Sequence, residues 1–353
     1  MIDEKMRKKV LSQPIEMIDL EKSKTLLDIV EAYKNASIQA RNIGRCMEVY
    51  ENMLKDRDRP TIIMGLSGAL IAGGLRKVIV DMIKYGIVDV IVSTGAILYQ
   101  DIYQARGYKH YRGSPDMDDT KLRDLYIDRI YDTLVDELKF EETDRYIGKL
   151  TEKLEPRGYS SREFLEFIAT HIEDENSILY NARKYGVPVF SPAINDSSIG
   201  IGLTIYYHNN RNKPHAFIHS IRDNYELTQI ILKSKKTGVI YIGGGVPKNW
   251  INDSEVMASY LFNPEINGHE YAFQITTATP VDGGLSGSTL HEAQSWGKIS
   301  KKATKATAYV ETTVALPLIV GAILQKGVWK GRHRLKFVWE KDIVKKIEMG
   351  ELL

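Results

Sequence analysis

The chain has 353 residues, 43% of them hydrophobic and 27% charged, which excludes a disordered protein and suits one large α/β domain or two modest ones. Its 48 Lys+Arg stand against 46 Asp+Glu, and a formal charge of +2 gives no field to recruit nucleic acid or an anionic membrane. A single cysteine, Cys46, excludes an intrachain disulfide framework and a thiolate metal cage, and fits a reducing compartment.

Residues 1–58 are mostly helical in pattern, with charged faces. The chain starts with charged residues and has no apolar core with a cleavage site, so no secretory signal is expected and the protein reads as cytoplasmic. Thr61-Ile-Ile-Met64 leads into Gly65-Leu-Ser-Gly68 and then into an amphipathic segment over 69–85. Val88-Asp-Val-Ile-Val92 ends at Ser93-Thr-Gly-Ala96. Residues 102–180 are rich in Asp, Glu, Arg, Lys and Tyr, with helices expected over 120–139 and 161–183. Val187-Pro-Val-Phe190 ends at Ser191-Pro-Ala-Ile-Asn-Asp196, and Val239-Ile-Tyr-Ile242 ends at three glycines, 243–245. The runs over 271–276 and 306–310 end at Thr277-Ala-Thr279 and Glu311-Thr-Thr313, the latter before a final helix. That helix carries an apolar run, 314–324, broken by Pro317 and too short to span a membrane.

Short β-rich runs alternating with helical stretches predict a doubly wound, mostly parallel, Rossmann-like α/β sheet with helices on both faces. One domain over 59–353 with a helical extension over 1–58 is the expected organisation. Small and polar residues gather at the carboxyl ends of the strands, where open α/β sheets bind ligands.

Gly65-Leu-Ser-Gly68-Ala-Leu-Ile-Ala-Gly73-Gly74 follows a strand and opens a helix, so it either holds a phosphate or makes a tight turn. It matches neither the dinucleotide fingerprint nor a P-loop. Gly243-Gly-Gly245-Val-Pro-Lys248 has the same placement, and its three glycines indicate a close approach to the backbone. The eight histidines are scattered and no H-E-x-x-H occurs, so metal chemistry is not expected. The most informative stretch is Asp282-Gly-Gly-Leu-Ser-Gly287-Ser-Thr-Leu-His-Glu292-Ala-Gln-Ser-Trp296-Gly-Lys298. Glu292 and Trp296 share a helix face, and Lys298 follows a glycine break. By composition this is a loop–helix joint with a buried aromatic and a solvated lysine. A functional reading desolvates Lys298 against the indole and leaves a nucleophilic amine for Schiff-base chemistry.

In its Ser295-Trp-Gly-Lys298 loop, Glu292, triple glycine, Val187–Ala193 run with Asp196, and Val310-Glu311, the sequence resembles the deoxyhypusine synthase family. The resemblance runs from about residue 59 to 326. It implies NAD on a doubly wound sheet, a polyamine substrate, and transfer of an aminobutyl group through an imine on the enzyme lysine to an acceptor amine. Carried over by position, Lys298 is the covalent nucleophile, and Trp296 and Glu292 shape the amine pocket. NAD would lie against Gly68, Ala69, Leu70, Ile71 and Ala72, against Thr94, Gly95 and Ala96, and against Asp196 and Gly244. Thr277, Ala278, Glu311 and Thr312 would complete its site, with Glu311 accepting from a ribose hydroxyl. The resemblance also implies a homotetramer with active sites between paired subunits, and an N-terminal helix that covers a neighbour's site.

The departures bear on the substrate. Tyr99 and Gln100 stand where two adjacent glutamates are expected, Ile201 where an aspartate should follow Asp196, and Leu285 for an aspartate in the Gly283-Gly284-Leu285 loop. Asn249 replaces the active-site histidine after the triple glycine. Removing buried partners of an ammonium costs about 1–3 kcal/mol each, which predicts loss of tight spermidine binding. The expected function is NAD-dependent alkylamine transfer through an imine on Lys298, with donor or acceptor altered. The alternatives are strict deoxyhypusine synthesis on a translation-factor lysine, homospermidine synthase-like transfer to a small amine, hydride transfer without covalent catalysis, and NAD binding without turnover.

Overall fold

The computed structural model describes residues 2–353. Three helices come first: α1 (Glu4–Val10), α2 (Leu26–Asn35) and α3 (Ile38–Lys55). Then follow β1 (Thr61–Leu66), α4 (Arg76–Lys84), β2 (Val90–Ser93) and α5 (Gly95–Ala105). A small antiparallel unit comes next, made of β3 (Tyr111–Arg112), β4 (Ile127–Ile130) and β5 (Thr133–Asp136), with α6 (Asp119–Asp124) inserted. The chain continues through α7 (Glu137–Thr151), β6 (Gly158–Tyr159), α8 (Ser161–Ala169), α9 (Ile178–Tyr185) and β7 (Val189–Phe190). It goes on through α10 (Ser198–Asn210), β8 (Phe217–Ile218), α11 (Ser220–Lys233), β9 (Thr237–Ile242) and α12 (Gly245–Leu261). The last elements are β10 (His269–Ile275), α13 (Glu292–Ser295), β11 (Ile299–Ala308), α14 (Thr312–Lys326) and the hairpin of β12 (His333–Glu340) and β13 (Ile343–Leu352).

Six parallel strands form the central sheet in the order β11-β10-β9-β1-β2-β7. Successive residues serve two cores. Ile62, Met64, Leu66, Ile240, Ile242, Phe273 and Ile275 pack on one side. Ile63, Val90, Val92, Val239, Tyr241 and Ala272 pack on the other. Burial on both faces is why these strands read as continuous apolar runs instead of alternating ones. α2, α3, α4 and α14 cover the first face, and α11, α12 and the β12–β13 hairpin the second. In α3, Cys46, Met47, Tyr50, Met53 and Leu54 recur at helical spacing and are buried against β10 and β11. Packing is therefore continuous across residue 58, whereas residues 2–22 bury no side chain. Among the described residues, no helix is long and apolar enough to cross a membrane.

Four local expectations are corrected. The helix expected over 120–139 is a short helix followed by the β4–β5 hairpin. Leu122, Tyr126, Ile130 and Leu134 recur every fourth residue, a spacing that also fits same-face positions of a hairpin. Tyr126 and Tyr131 take positive φ, which ends α6 and turns the hairpin. The stretch over 161–183 is two helices, because Ser177 caps α9 through its hydroxyl after an irregular acidic segment. The helix after β1 begins at Arg76, not at residue 69, since Gly68 and Gly74 adopt φ of +97° and +83°. Finally, the chain does not end in a helix: the β12–β13 hairpin follows α14.

From β1 the chain steps outward through β2 and β7 on one side of the sheet, then returns to build β9, β10 and β11 on the other. The strand order reverses between β1 and β9. Loops leaving those two strands diverge and open a crevice at their carboxyl ends.

Candidate active site

A crevice of about 1050 Å³ opens at that reversal. Gly68, Ala69, Leu70 and Ala72 wall it from the loop after β1, and Gly244 from the loop after β9. Thr277 and Ala278 after β10, and Glu311 and Thr312 after β11, close its far side. A second cavity of about 430 Å³ shares Gly68 and Ala69 and adds Thr94, Gly95, Ala96, Gln100 and Asp196. The structure thus brings together nearly all the residues named above for a cofactor. Ile71 is the exception: it is 1% exposed and belongs to the core, because the turn at Gly68 directs it inward.

The crevice takes its shape from backbone and hydroxyls. Gly243 adopts φ +70°, and a Cβ on Gly244 would stand 2.4 Å from Ser286 Cα. The Gly244 and Gly245 N–H groups donate to Ser67 Oγ (2.8 Å) and Ser286 Oγ (3.0 Å), so these two N–H groups are engaged and not open to a phosphate. Gln274 donates to the carbonyls of Gly243 and Ser286 and ties the same loops. Glu311 caps α14: its Oε2 accepts from the Thr313 N–H at 2.8 Å and from the Thr313 hydroxyl, while Oε1 remains open to the crevice. An open carboxylate oxygen, a glycine-lined approach and this volume fit a dinucleotide whose ribose diol donates to Glu311.

Lys298 lies beyond the first turn of α12. Gly245, Val246 and Pro247 of that turn wall the smaller cavity, and Asn249 two residues on meets the lysine. Lys298 Nζ donates to Asn249 Oδ1 at 2.9 Å and pairs with Asp253 Oδ1 at 3.0 Å. Asn249 Nδ2 in turn donates to Asp253 Oδ2 at 2.9 Å. Asn249 and Asp253 are four apart on α12, so both face the lysine. Trp296 caps α13, its ring centroid 5.4 Å from Nζ. It is 66% exposed, which corrects the expectation of an aromatic wall that desolvates Lys298: within one chain a carboxylate, not an indole, is the lysine's main neighbour. Glu292 is exposed, and its carboxylate turns back to the Thr289 N–H.

Of the positions expected to line the amine pocket, Gln100 reaches a cavity, where it accepts from the Ala72 N–H at 3.2 Å. Tyr99 does not. It is 2% exposed, packs edge-on against Phe140 and donates to the Phe140 carbonyl, because it occupies the inward face of α5. Ile201 lies on the open face of α10, 52% exposed, outside both cavities. Gly283, Gly284 and Leu285 form an exposed loop after the turn Pro280–Asp282.

Sequence reasoning missed several residues. Lys248 is 2% exposed, and its Nζ donates to Gln274 Oε1, the Leu285 carbonyl, and the Ser288 hydroxyl and carbonyl. Burial pulls its ammonium down to about 8, opposed by Glu292 and reinforced by the charge on Lys298. Its place three residues after the triple glycine, inside the first turn of a helix, was the available signal. Asp253 was visible only as the position four after Asn249. Arg112 and Asp132, from the antiparallel unit, face the large crevice, and no motif marked them.

The chain matches the deoxyhypusine synthase family over residues 28–323. It is 43% identical over 332 residues to a deoxyhypusine synthase-like protein of Chlorobaculum parvum, covering 93% of this chain and 94% of that one. A deoxyhypusine synthase-like protein of Coxiella burnetii is 41% identical over 336 residues, with 93% of each chain covered. Among solved structures, that of a "putative deoxyhypusine synthase" from Entamoeba histolytica superposes with a TM-score of 0.61 at 20% identity, over 87% of this chain and 96% of that one, a likeness of fold.

Proposed function

The chain belongs to the deoxyhypusine synthase family, and from that membership we propose that it transfers an alkylamine group through an imine on Lys298, using NAD. The observation that carries this reading is the first turn of α12. One side of it walls the cavity expected to hold the cofactor, and the residue at its end grips the Lys298 amine. A reactive amine thus sits one helical turn from the dinucleotide site, the proximity that group transfer needs.

When bound, NAD supplies a hydride acceptor for the donor amine and a hydride donor for the product. The chain's own residues do the rest. Gly68, Ala69 and Gly244 admit the dinucleotide by keeping the backbone bare, and Glu311 holds its ribose. Lys298 takes the carbon chain, forming a bond to the oxidised carbon as the departing amine leaves. Trp296 offers an indole face to a cationic amine.

The donor carries less positive charge than spermidine. Tyr99 contributes no carboxylate and is packed away, Leu285 and Ile201 are apolar, and the acid paired with Lys298 is Asp253. The acceptor is a small amine, in contrast to the protein lysine of strict deoxyhypusine synthesis. We place the active site between subunits of a homotetramer, a reading supported by Trp296, Leu285 and Ile201, apolar residues left on the surface of one chain.

Borohydride trapping tests this function. Protein with NAD is incubated with a panel of diamines and polyamines, reduced, and mapped by peptide mass spectrometry. The expected result is an adduct on Lys298 with a diamine, its mass naming the transferred group. NAD binding with no adduct from any amine would overturn the covalent reading. Release of 1,3-diaminopropane from spermidine only in the presence of a protein acceptor would restore strict deoxyhypusine synthesis.

A further inference from the structure

We propose that Asp253, oriented by Asn249, is the group that moves protons at Lys298 during imine transfer. The inference rests on Lys298 being the nucleophile. Three contacts define the arrangement: Lys298 Nζ to Asp253 Oδ1 at 3.0 Å, Lys298 Nζ to Asn249 Oδ1 at 2.9 Å, and Asn249 Nδ2 to Asp253 Oδ2 at 2.9 Å. The carboxamide is matched at both ends, its oxygen to the ammonium and its nitrogen to the carboxylate. The reverse orientation would set donor against donor and acceptor against acceptor. Asn249 therefore fixes which carboxylate oxygen faces the lysine, and is a positioning residue.

No other carboxylate among the described residues pairs with Nζ. Glu292 bends back to the Thr289 N–H, and Lys248 Nζ is directed to Gln274, the Leu285 carbonyl and Ser288. An ammonium cannot attack carbon, so a proton must leave Lys298 before the bond forms, and Asp253 is the acceptor in reach.

The step balances. Lys298 ammonium passes a proton to Asp253, and the freed lone pair attacks the carbon of the donor iminium, whose C=N electrons move onto the donor nitrogen. The new nitrogen–carbon adduct gives up its second proton to that nitrogen. The donor carbon–nitrogen bond then breaks as the lysine lone pair closes a new C=N, and Asp253 returns its proton to the departing amine. One protonated imine and one ammonium replace one iminium and one ammonium, with the Asp253 carboxylate regenerated and no further oxidant consumed.

Asp253→Asn preserves shape and removes the basic oxygen. Asp253 is 44% exposed in its side chain, so the variant is expected to fold, as read by its thermal midpoint. Two measurements decide the proposal. In single turnover with NAD and the donor amine, NADH formation should stay within about 3-fold of wild type while the trapped Lys298 adduct forms about 10²-fold more slowly, the usual scale of acid–base assistance. Adduct formation at the wild-type rate, or an equal loss of both signals, overturns it. Separately, with neither NAD nor amine present, Lys298 is labelled with trinitrobenzenesulfonate at pH 8 and quantified by peptide mass spectrometry. Removing the carboxylate should raise labelling about 3- to 10-fold, with Asp253→Glu near wild type. Equal labelling in wild type and Asp253→Asn also overturns the proposal. The labelling arm needs no turnover, so loss of the Asp253–Lys298 pairing is told apart from failure of the proposed function, which would show as no adduct in the wild-type protein.

Discussion

The cavities at the ends of β1 and β9 and the Lys298 corner meet at the start of α12, yet they are built by opposite means. Bare glycines and the hydroxyls of Ser67 and Ser286 shape the crevice. The corner consists of charged groups drawn from α12 and from the loop before β11. A pocket made of backbone keeps its form whatever the pH or salt, whereas a cluster of charges sets where protons reside and responds to both. The two regions should therefore fail independently.

Lys298→Ala should remove every trappable adduct and lower amine transfer by at least about 10³-fold, with NAD affinity by calorimetry changed less than about 3-fold. A parallel loss of NAD binding would show that corner and crevice are one unit. Gly244→Ala tests the other side. Its Cβ would meet Ser286 Cα at 2.4 Å and Ser286 Cβ at 3.0 Å, so one of the two loops must shift. NAD binding should weaken by about 1–3 kcal/mol, with trinitrobenzenesulfonate labelling of Lys298 unchanged.

Lys248 sits where the two regions join, and it carries a pH signature. Its folded-state ammonium is lowered from 10.5 to about 8, mainly by burial. Between those values the unfolded chain binds more protons, so this group's contribution to stability rises as pH rises through that window. Denaturant unfolding of wild type against Lys248→Met should show a difference that grows in favour of wild type by about 1–2 kcal/mol from pH 8 to 10. A flat difference would mean that the buried amine titrates as it does in the unfolded chain. Tyr99→Phe gives the smallest effect. It removes one hydrogen bond to the Phe140 carbonyl, about 1 kcal/mol of stability, and should leave amine transfer within about 2-fold. A larger kinetic loss would return Tyr99 to the amine pocket.

The same contrast explains what the sequence made legible. The crevice is assembled from short contiguous motifs at strand ends, Gly68–Ala72, Thr94–Ala96, Gly244 and Glu311–Thr312, so a linear reading finds its parts. Even there Ile71 and Tyr99 were assigned outward, because a motif names a segment and not the direction each side chain takes around a turn or a helix. The corner depends on a tertiary meeting. Asp253 and Lys298 are far apart in sequence, and nothing local to either predicts their 3.0 Å pairing. The β4–β5 hairpin was missed for a different reason: four-residue spacing of apolar residues serves a helix and a hairpin equally well until a positive φ decides. Arg112, which that unit carries to the crevice, went unnoticed with it.

The strand that begins one residue after Lys298 is also the outer edge of the sheet. β11 pairs with β10 on one side and leaves its other row of N–H and C=O groups unpaired within the chain. Such a rim is a template for adding a foreign strand. Lys301, Lys302 and Lys305 stud this one, and the charge they place along it discourages a second chain from zipping onto the edge. Protection from edge-to-edge pairing thus falls to the ten residues that follow Lys298, and neutralising those lysines would leave the rim open to a foreign strand.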